Sequence, residues 1–336
     1  MKLGFFEIEG WEKDIISERF AGETISFFEQ KLDLDNLPPE TDFEIISIFV
    51  NSKITSEVLK HFPNLKFITT RSTGFDHINS NACKEAGVAV SYAPGYGDNT
   101  VAEFAFGLIL NLTRKMYHCI DRIKESGSFS LEGLRGVDIK GKILGVVGTG
   151  RIGKEVIKIA KGFGMSVIAF DPYPDNNFQK EAGFEYLSLE EVLKKSDIVT
   201  LHCPYLKSTH HLINKQNIMT MKKGSYIINT ARGAIVETEA LVQALQQGIL
   251  AGVGLDVLEE EGEVKDELNI LADGHPNEAT LKNMLYDHIL MEMPNVLVTP
   301  HNAFNTGEAL ERILNTTIQN IEGFSLGKPI NLIPEN

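Results

Sequence analysis

Four positions in the second half of the chain carry side chains suited to reducing a carbonyl that sits beside a carboxylate. Arg232 follows the run IINTA, His301 follows LVTP, and Asp256 ends GVGLD with Glu261 five residues further on. A guanidinium fork matches a planar carboxylate, and a histidine carries a proton near neutral pH. An acid can tune that histidine. Each residue also has a plainer reading. Arg232, in the turn ARGA, could be a surface cation, and His301 a hydrogen-bonded structural histidine. His202, His210 and His211 compete for the proton-carrying role. His202, at a strand end near Pro204, suits the border of a cofactor better, and His210 and His211 read as surface residues or as supports behind the site. No His, Cys and Asp cluster has metal-ligand spacing, so no metal is expected.

A hydride must come from a cofactor, and the stretch from Lys142 to Asp171, KILGVVGTGRIGKEVIKIAKGFGMSVIAFD, is built to hold one. An apolar run, Ile143 to Val147, ends at Gly148, and Gly150 and Gly153 complete GxGxxG. Ile152, Val156, Ile159, Ala160 and Phe163 then recur at helical spacing, and a second apolar run ends at Asp171, 18 residues after Gly153. Gly148 permits the tight turn, Gly150 lets a pyrophosphate approach the backbone, and Gly153 lets helix and strand pack closely. The helix N-terminus offers free N–H groups to phosphate. Asp171 can accept from the adenosine ribose hydroxyls. Its carboxylate would repel a 2′-phosphate, and the following PYPDNN has no arginine to compensate, which points to NAD rather than NADP. An ordinary glycine-rich turn is the plainer alternative.

The surrounding chain alternates short apolar runs with helical patterns, so the expected fold class is α/β with parallel sheets. In the first hundred residues, strands are expected at Leu3 to Ile8, Thr24 to Phe28, Ile45 to Val50, Phe67 to Thr70 and Val88 to Val90, with helices over 11–20, 54–62 and 79–86. This part lacks a phosphate-binding glycine motif and reads as a second domain of similar architecture. Asn99 or Thr100 can cap one long helix running to about Lys124. After the glycine motif come strands at Ile198 to Leu201, Tyr226 to Ile228, Gly252 to Leu255 and Val296 to Thr299. Helices are expected over 188–195, 237–247 and 306–326. Residues 259–294 open on an acidic run, continue through a polar, partly helical stretch and are long for a simple connector, so a surface segment beside the active site or a subunit contact is expected.

Composition narrows the class. The chain has 336 residues, 43% hydrophobic and 23% charged, which suits a globular protein of two domains. The net charge of −14 opposes nucleic-acid binding. No apolar run is long enough for a membrane span. Cys83, Cys119 and Cys203 fit neither a disulfide framework nor a zinc site, so a reducing cytoplasm is expected.

Seven motifs in order make the chain resemble the D-isomer-specific 2-hydroxyacid dehydrogenases. They are TRSTGFDHIN at 70–79, NTVAEFAFGLIL at 99–110, VVGTGRIG at 146–153, LHCPY at 201–205, INTARG at 228–233, GLDVLEEE at 254–261 and NVLVTPHNA at 295–303. The variant YGDNTVAE and the long segment after Glu261 are most similar to the D-lactate dehydrogenase branch. The resemblance implies two Rossmann-like domains flanking a cleft. An NAD-binding domain, 101–299, is inserted in a flavodoxin-like substrate domain made of 1–100 and 300–336. It also implies a homodimer.

Carried over by motif, Arg232 binds the substrate, His301 donates the proton, and Glu261 bonds to His301, with Glu259 and Glu260 as near misses. Thr73 and Gly74 match the carboxylate cradle, and Tyr96 and Phe304 match substrate-side aromatics. The cofactor would be lined by Val101, Gly148, Gly150, Arg151, Ile152, Gly153, Asp171, Cys203, Pro204, Thr209, Thr230, Ala231 and Asp256. The implied substrate is a 2-oxo or 2-hydroxy acid, with pyruvate and D-lactate foremost. Glyoxylate, hydroxypyruvate or a branched 2-oxo acid are the alternatives, and an NAD-sensing binding protein is the non-enzymatic one. Two departures touch the substrate mouth: HNAF replaces the usual histidine–isoleucine–alanine–tyrosine, and Asn51 stands where relatives often carry tyrosine.

Overall fold

Runs rich in Ile, Val and Phe, bounded by Gly, Asp and Ser, form strands because branched side chains fit a pleated surface covered on both faces. The computed structural model describes residues 1–259 and 278–334 and divides into two units, Met1–Tyr96 with Thr306–Asn336, and Gly97–Asn305.

In the first unit, strands β1 (Lys2–Phe5), β2 (Thr24–Phe27), β3 (Ile45–Ile48), β4 (Phe67–Thr70) and β5 (Ala89–Ser91) alternate with helices α1 (Gly10–Arg19), α2 (Ser56–Leu59) and α3 (Ser80–Glu85). The sheet is parallel in the order β2-β1-β3-β4-β5, the flavodoxin-like order. One face is closed by Phe6, Phe43 and Phe62 with Ile46 and Ile68, the other by Phe5, Phe67 and Ile321.

The second unit opens on α4 (Asp98–Arg114) and α5 (Met116–Ser126). The single long helix expected from the sequence is therefore broken. Lys115 lies in the left-handed region, with φ 52°. The Thr113 hydroxyl donates back to the Ile109 carbonyl, and the Thr113 carbonyl accepts the N–H of Val137 instead of the next helical turn. Gly136 permits that approach, since a Cβ there would stand 2.4 Å from the same carbonyl.

The second sheet comprises β6 (Ile143–Val147), β7 (Ser166–Phe170), β8 (Glu185–Tyr186), β9 (Ile198–Leu201), β10 (Ser225–Asn229), β11 (Leu250–Leu255) and β12 (Val296–Val298). Its order is β12-β11-β10-β9-β6-β7-β8, all parallel. The strand order reverses at β6, and ligands of such sheets bind beyond the strand C-termini at that point. Helices α6 (Arg151–Gly162), α7 (Asn176–Ala182), α8 (Leu189–Lys195), α9 (Lys215–Ile218) and α10 (Thr238–Gln246) cover the faces.

Helix α11 (Glu278–Glu292) falls inside the partly helical segment expected to lie on the surface. Its Met284, Asp287 and Leu290 are buried, and it packs on α10, so this part of the expectation is corrected. The apolar spacing of Met284, Tyr286 and Leu290 is diluted by charged residues, which hides the buried face from a reading by period. Helix α12 (Gly307–Ser325) returns the chain to the first unit, where Leu314, Ile318 and Ile321 pack beside β1 and β4. No helix among the described residues is long and apolar enough to cross a membrane.

Candidate active site

The glycine turn between β6 and α6 is shaped by backbone contacts that only glycine allows. Gly148 has φ 91°, and a Cβ there would lie 2.7 Å from the Cys203 nitrogen and 2.8 Å from the His202 carbonyl carbon. A Cβ on Gly153 would lie 2.1 Å from the Gly148 oxygen. Gly150 differs, because nothing lies within 4 Å of its would-be Cβ. It is the N-cap of α6 and has no side chain to satisfy the first-turn N–H groups. The neighbouring helices α7, α8 and α9 are capped by Asp175, Ser188 and Asn214. This helix start thus combines open space with uncapped donors, the arrangement a pyrophosphate needs. Arg151 beside it is paired with Asp98 at 2.8 Å, and Ile152 packs against the core cluster that includes Ala102 and Ala105 of α4.

At the end of β7, Asp171 accepts from the Thr149 N–H at 2.7 Å, the Thr149 hydroxyl at 3.1 Å and the Tyr173 N–H at 2.8 Å. Across the turn, Val147 and Leu201 are register partners, so His202, Cys203 and Pro204 leave β9 beside Gly148. Burial holds the His202 imidazole neutral, with its pKa pushed down to about 3. It also pushes the Cys203 thiol up to about 11. Thr209 closes the loop that follows by donating to the Pro204 carbonyl and accepting the Leu206 N–H. Thr230, just past the end of β10, carries a buried hydroxyl with no partner among the described residues.

The polar residues named for chemistry follow adjacent strands. Ile228 pairs with Gly254, and Leu255 with Val298, so Arg232, Asp256 and His301 emerge from one sheet edge. Asn229, not singled out from the sequence, shapes the arginine turn. Its side-chain oxygen accepts from Ala231 N–H, and its amide donates to the Arg232 carbonyl. Such an Asx turn is a known habit of asparagine at strand ends. The Arg232 guanidinium donates to the Ala231 carbonyl. Gly233 is required behind it, because a Cβ would fall 2.0 Å from the Leu258 carbonyl carbon.

Asp256 is buried and accepts from the Thr299 hydroxyl and from the N–H groups of Asn302 and Ala303. Burial raises its pKa, against the pull of those hydrogen bonds and of His301. The His301 N–H is held by the carbonyls of Asp256 and Thr299, in a left-handed backbone with φ 54°. Its ring stands edge-on to Phe304, with centroids 6.4 Å apart. Glu261 lies outside the described residues. Glu259 is engaged elsewhere. One of its oxygens bonds to His211 Nε2 at 2.6 Å, and the other accepts from the N–H and hydroxyl of Thr238 at the start of α10. Of the two readings of His211, surface residue or support behind the site, this contact favours the second: it buttresses the chain leaving β11.

In the first unit, Thr73 and Gly74 sit in the turn after β4. The Thr73 hydroxyl donates to the Ala93 carbonyl, and Ser72 donates to the Gly74 carbonyl. Beneath that turn lies a buried arginine that residue pattern alone does not single out. Arg71 donates to Ser47 and to the carbonyls of Phe6 and Glu7, with Glu12 3.7 Å away. Glu7 gathers the N–H groups of Phe49, Asn51 and Ser52 and the side chains of Asn51 and Ser52. Tyr96 offers its carbonyl to Arg312 at 2.6 Å. No group of three potential metal ligands occurs among the described residues.

Residues 106–303 match the family model of the D-isomer specific 2-hydroxyacid dehydrogenase NAD binding domain. The chain is 34% identical to the D-lactate dehydrogenase of Escherichia coli, covering 98% of each. The chain belongs to the D-isomer-specific 2-hydroxyacid dehydrogenase family. It is also 39% identical to an aromatic 2-oxoacid reductase of Clostridium sporogenes, over 84% of this chain and 83% of that one. Among solved structures, the D-lactate dehydrogenase of Aquifex aeolicus complexed with NAD and lactic acid superposes with a TM-score of 0.87 at 36% identity, covering 99% of both chains. Membership brings NAD as the cofactor and reduction of a 2-oxo acid as the class of reaction. The open start of α6, the held Asp171 and the unpartnered Thr230 hydroxyl fit that cofactor.

Proposed function

We propose that the protein reduces pyruvate to D-lactate with NADH in preference to NADPH. The observation that carries this reading is the placement of Arg232 and His301 past the C-terminal ends of β10 and β12, the two parallel strands that flank β11, at the same end of the sheet as the glycine turn. Bound NADH supplies the hydride. Arg232 pairs with the substrate carboxylate and orients the carbonyl, and His301 Nε2 or Nδ1 gives its proton to the carbonyl oxygen. Glu261 is proposed to keep His301 protonated. The unit Met1–Tyr96 with Thr306–Asn336 is proposed as the substrate domain, with Thr73 and Gly74 presenting backbone donors to the carboxylate. Tyr96 and Phe304 are proposed to bound the substrate.

A bulkier 2-oxo acid is the second reading. Asn51 stands where lactate-branch relatives often carry tyrosine, and its amide is turned onto Glu7. A relative at 39% identity is named for aromatic 2-oxo acids. A homodimer in the cytoplasm is proposed as well. The reasons are the uncovered apolar side chains of Tyr117, Ile120 and Ile123 on α5, with Phe129 at 87% and Leu131 at 83% exposure just beyond it, and three free cysteines.

The deciding experiment is a panel of pyruvate, glyoxylate, hydroxypyruvate, a branched 2-oxo acid and phenylpyruvate, followed by loss of NADH absorbance. The expected result is the highest kcat/KM for pyruvate and a D product. A higher kcat/KM for phenylpyruvate selects the second reading. No NADH oxidation with any of them, while NADH still binds, overturns the enzyme reading in favour of an NAD-sensing protein.

A further inference from the structure

The Asp171 carboxylate, read above as the ribose acid, is held by a chain of hydroxyl groups reaching back to the edge strand. Asp171 is a carboxylate and can only accept, so the Thr149 hydroxyl directs its proton to Asp171. Thr149 Oγ1 lies 2.8 Å from the Tyr186 hydroxyl. With the Thr149 proton committed, the Tyr186 O–H must be the donor in that contact. The Tyr186 oxygen in turn accepts the Asp175 N–H at 3.2 Å. The direction of every bond is thereby set, from Asp175 N–H through Tyr186 and Thr149 to Asp171.

Both ends of this chain are anchored. Thr149 is only 4% exposed and sits between Gly148 and Gly150 of the phosphate turn. Tyr186 pairs through β8 with Ala169 of β7, and its ring packs edge-on against Phe184. Asp175 caps α7 through Asn177 and Phe178 and pairs with Lys154 of α6 at 2.6 Å. The loop from Asp171 to Asp175 is thus tied at one end to the glycine turn and at the other to Tyr186.

We propose that Tyr186 is a positioning residue for cofactor choice: through Thr149 it fixes the Asp171 carboxylate in the orientation that accepts ribose hydroxyls and repels a 2′-phosphate. A carboxylate on a loop samples several rotamers, and a ligand that needs one of them must order it on binding. Holding Asp171 beforehand removes that cost for NADH. The same fixed charge opposes NADPH, so the discrimination depends on the hold as well as on the acid.

This inference rests on the reading of Asp171 as the ribose acid. The test is direct binding of NADH and NADPH, by fluorescence titration of the full chain, to wild type, Tyr186→Phe, Thr149→Val, Thr149→Ser and the Tyr186→Phe, Thr149→Val double variant. Tyr186→Phe removes one oxygen and is expected to weaken NADH about 3- to 10-fold, the loss of one net hydrogen bond, with NADPH weakened less. The NADH-to-NADPH preference then falls, while kcat at saturating NADH changes less than about twofold. Thr149→Val should act in the same direction, Thr149→Ser should keep the preference, and the double variant should be no worse than Thr149→Val, because both changes break one chain. Unchanged discrimination in Tyr186→Phe overturns the proposal, as does equal weakening of both cofactors or additive losses in the double variant. If Thr149→Val does not fold, the Tyr186→Phe ratio decides alone. A wild type that binds NADPH more tightly overturns instead the reading of Asp171, whatever the variants do.

Discussion

Asp256 holds His301 by the backbone. Its own carbonyl accepts the His301 N–H, and its side chain takes the N–H groups of the next two residues and the hydroxyl of Thr299. The proposed proton donor is therefore presented from a turn in the left-handed region that the carboxylate stabilises from inside the protein. Asp256→Asn replaces one acceptor oxygen with an NH₂ that faces N–H donors. The expected outcome is a loss of roughly 1–3 kcal/mol in stability, the cost of an unsatisfied buried polar group, and a kcat lowered about 10-fold or more with the loosened turn. Urea melts and steady-state rates with a 2-oxo acid check both. Full rates in a fully stable variant would mean the turn holds itself.

His301→Ala removes the proposed proton donor while leaving every backbone bond of the turn in place. Turnover should fall roughly 10²–10⁴-fold, and NADH affinity should change little. Arg232→Lys keeps the charge and loses the planar fork, so it should chiefly raise KM for the 2-oxo acid. Rates near normal in the first variant remove His301 from the chemistry. An unaltered KM and kcat in the second does the same for Arg232.

The glycines of the phosphate turn separate fold from function. A Cβ at Gly153 meets the Gly148 carbonyl at 2.1 Å, whereas one at Gly150 meets nothing within 4 Å. Gly153→Ala should lower the melting temperature of the cofactor-free protein by several degrees, since close helix–strand packing must open. Gly150→Val should melt as the wild type does and bind NADH at least about tenfold more weakly, because its side chain fills the space in front of the uncapped α6 amides. Calorimetry without cofactor and a binding titration distinguish the two. Equal melting temperatures with equal affinities would contradict the packing described for this turn.

What could be read from residue order alone was what depends on neighbours in sequence. The β6–α6–β7 unit was legible because glycine spacing, helical period and the acid after the second strand all lie within thirty or so residues. The positions of Arg232 and His301 just past strand ends were legible because each follows an apolar run that must be a strand. The roles of Asp256 and Tyr186 were not. The partners of Asp256 lie 43 to 47 residues away, and Tyr186 reaches Thr149 across 37 residues, from a two-residue edge strand too short to show a period. Helix propensity across Lys115 gave no warning of a break, because the break comes from Val137 capturing the Thr113 carbonyl.

His202 provides a test by pH. Its Nε2 is 2.8 Å from the Thr200 hydroxyl, its Nδ1 is buried with no partner among the described residues, and its backbone N–H bonds to the Val147 carbonyl beside the glycine turn. A second proton on the ring would make a buried charge with no acceptor at Nδ1, and burial accordingly depresses its pKa from 6.5 to about 3. In the unfolded chain the imidazole takes up a proton below its ordinary value, while in the folded chain it stays neutral. The stability this histidine contributes is therefore complete above pH of about 6.5 and is lost progressively as pH falls toward about 3. Linkage puts the loss at about 2 kcal/mol by pH of about 5. His202→Gln keeps a group able to bond to Thr200 and cannot titrate. Urea unfolding of the cofactor-free protein at about pH 7.5 and about pH 5 should show the wild type losing about 2 kcal/mol more than the variant between the two. The other eight histidines are common to both proteins and cancel in that difference. Parallel losses in wild type and variant would mean that the ring already carries its proton in the folded state.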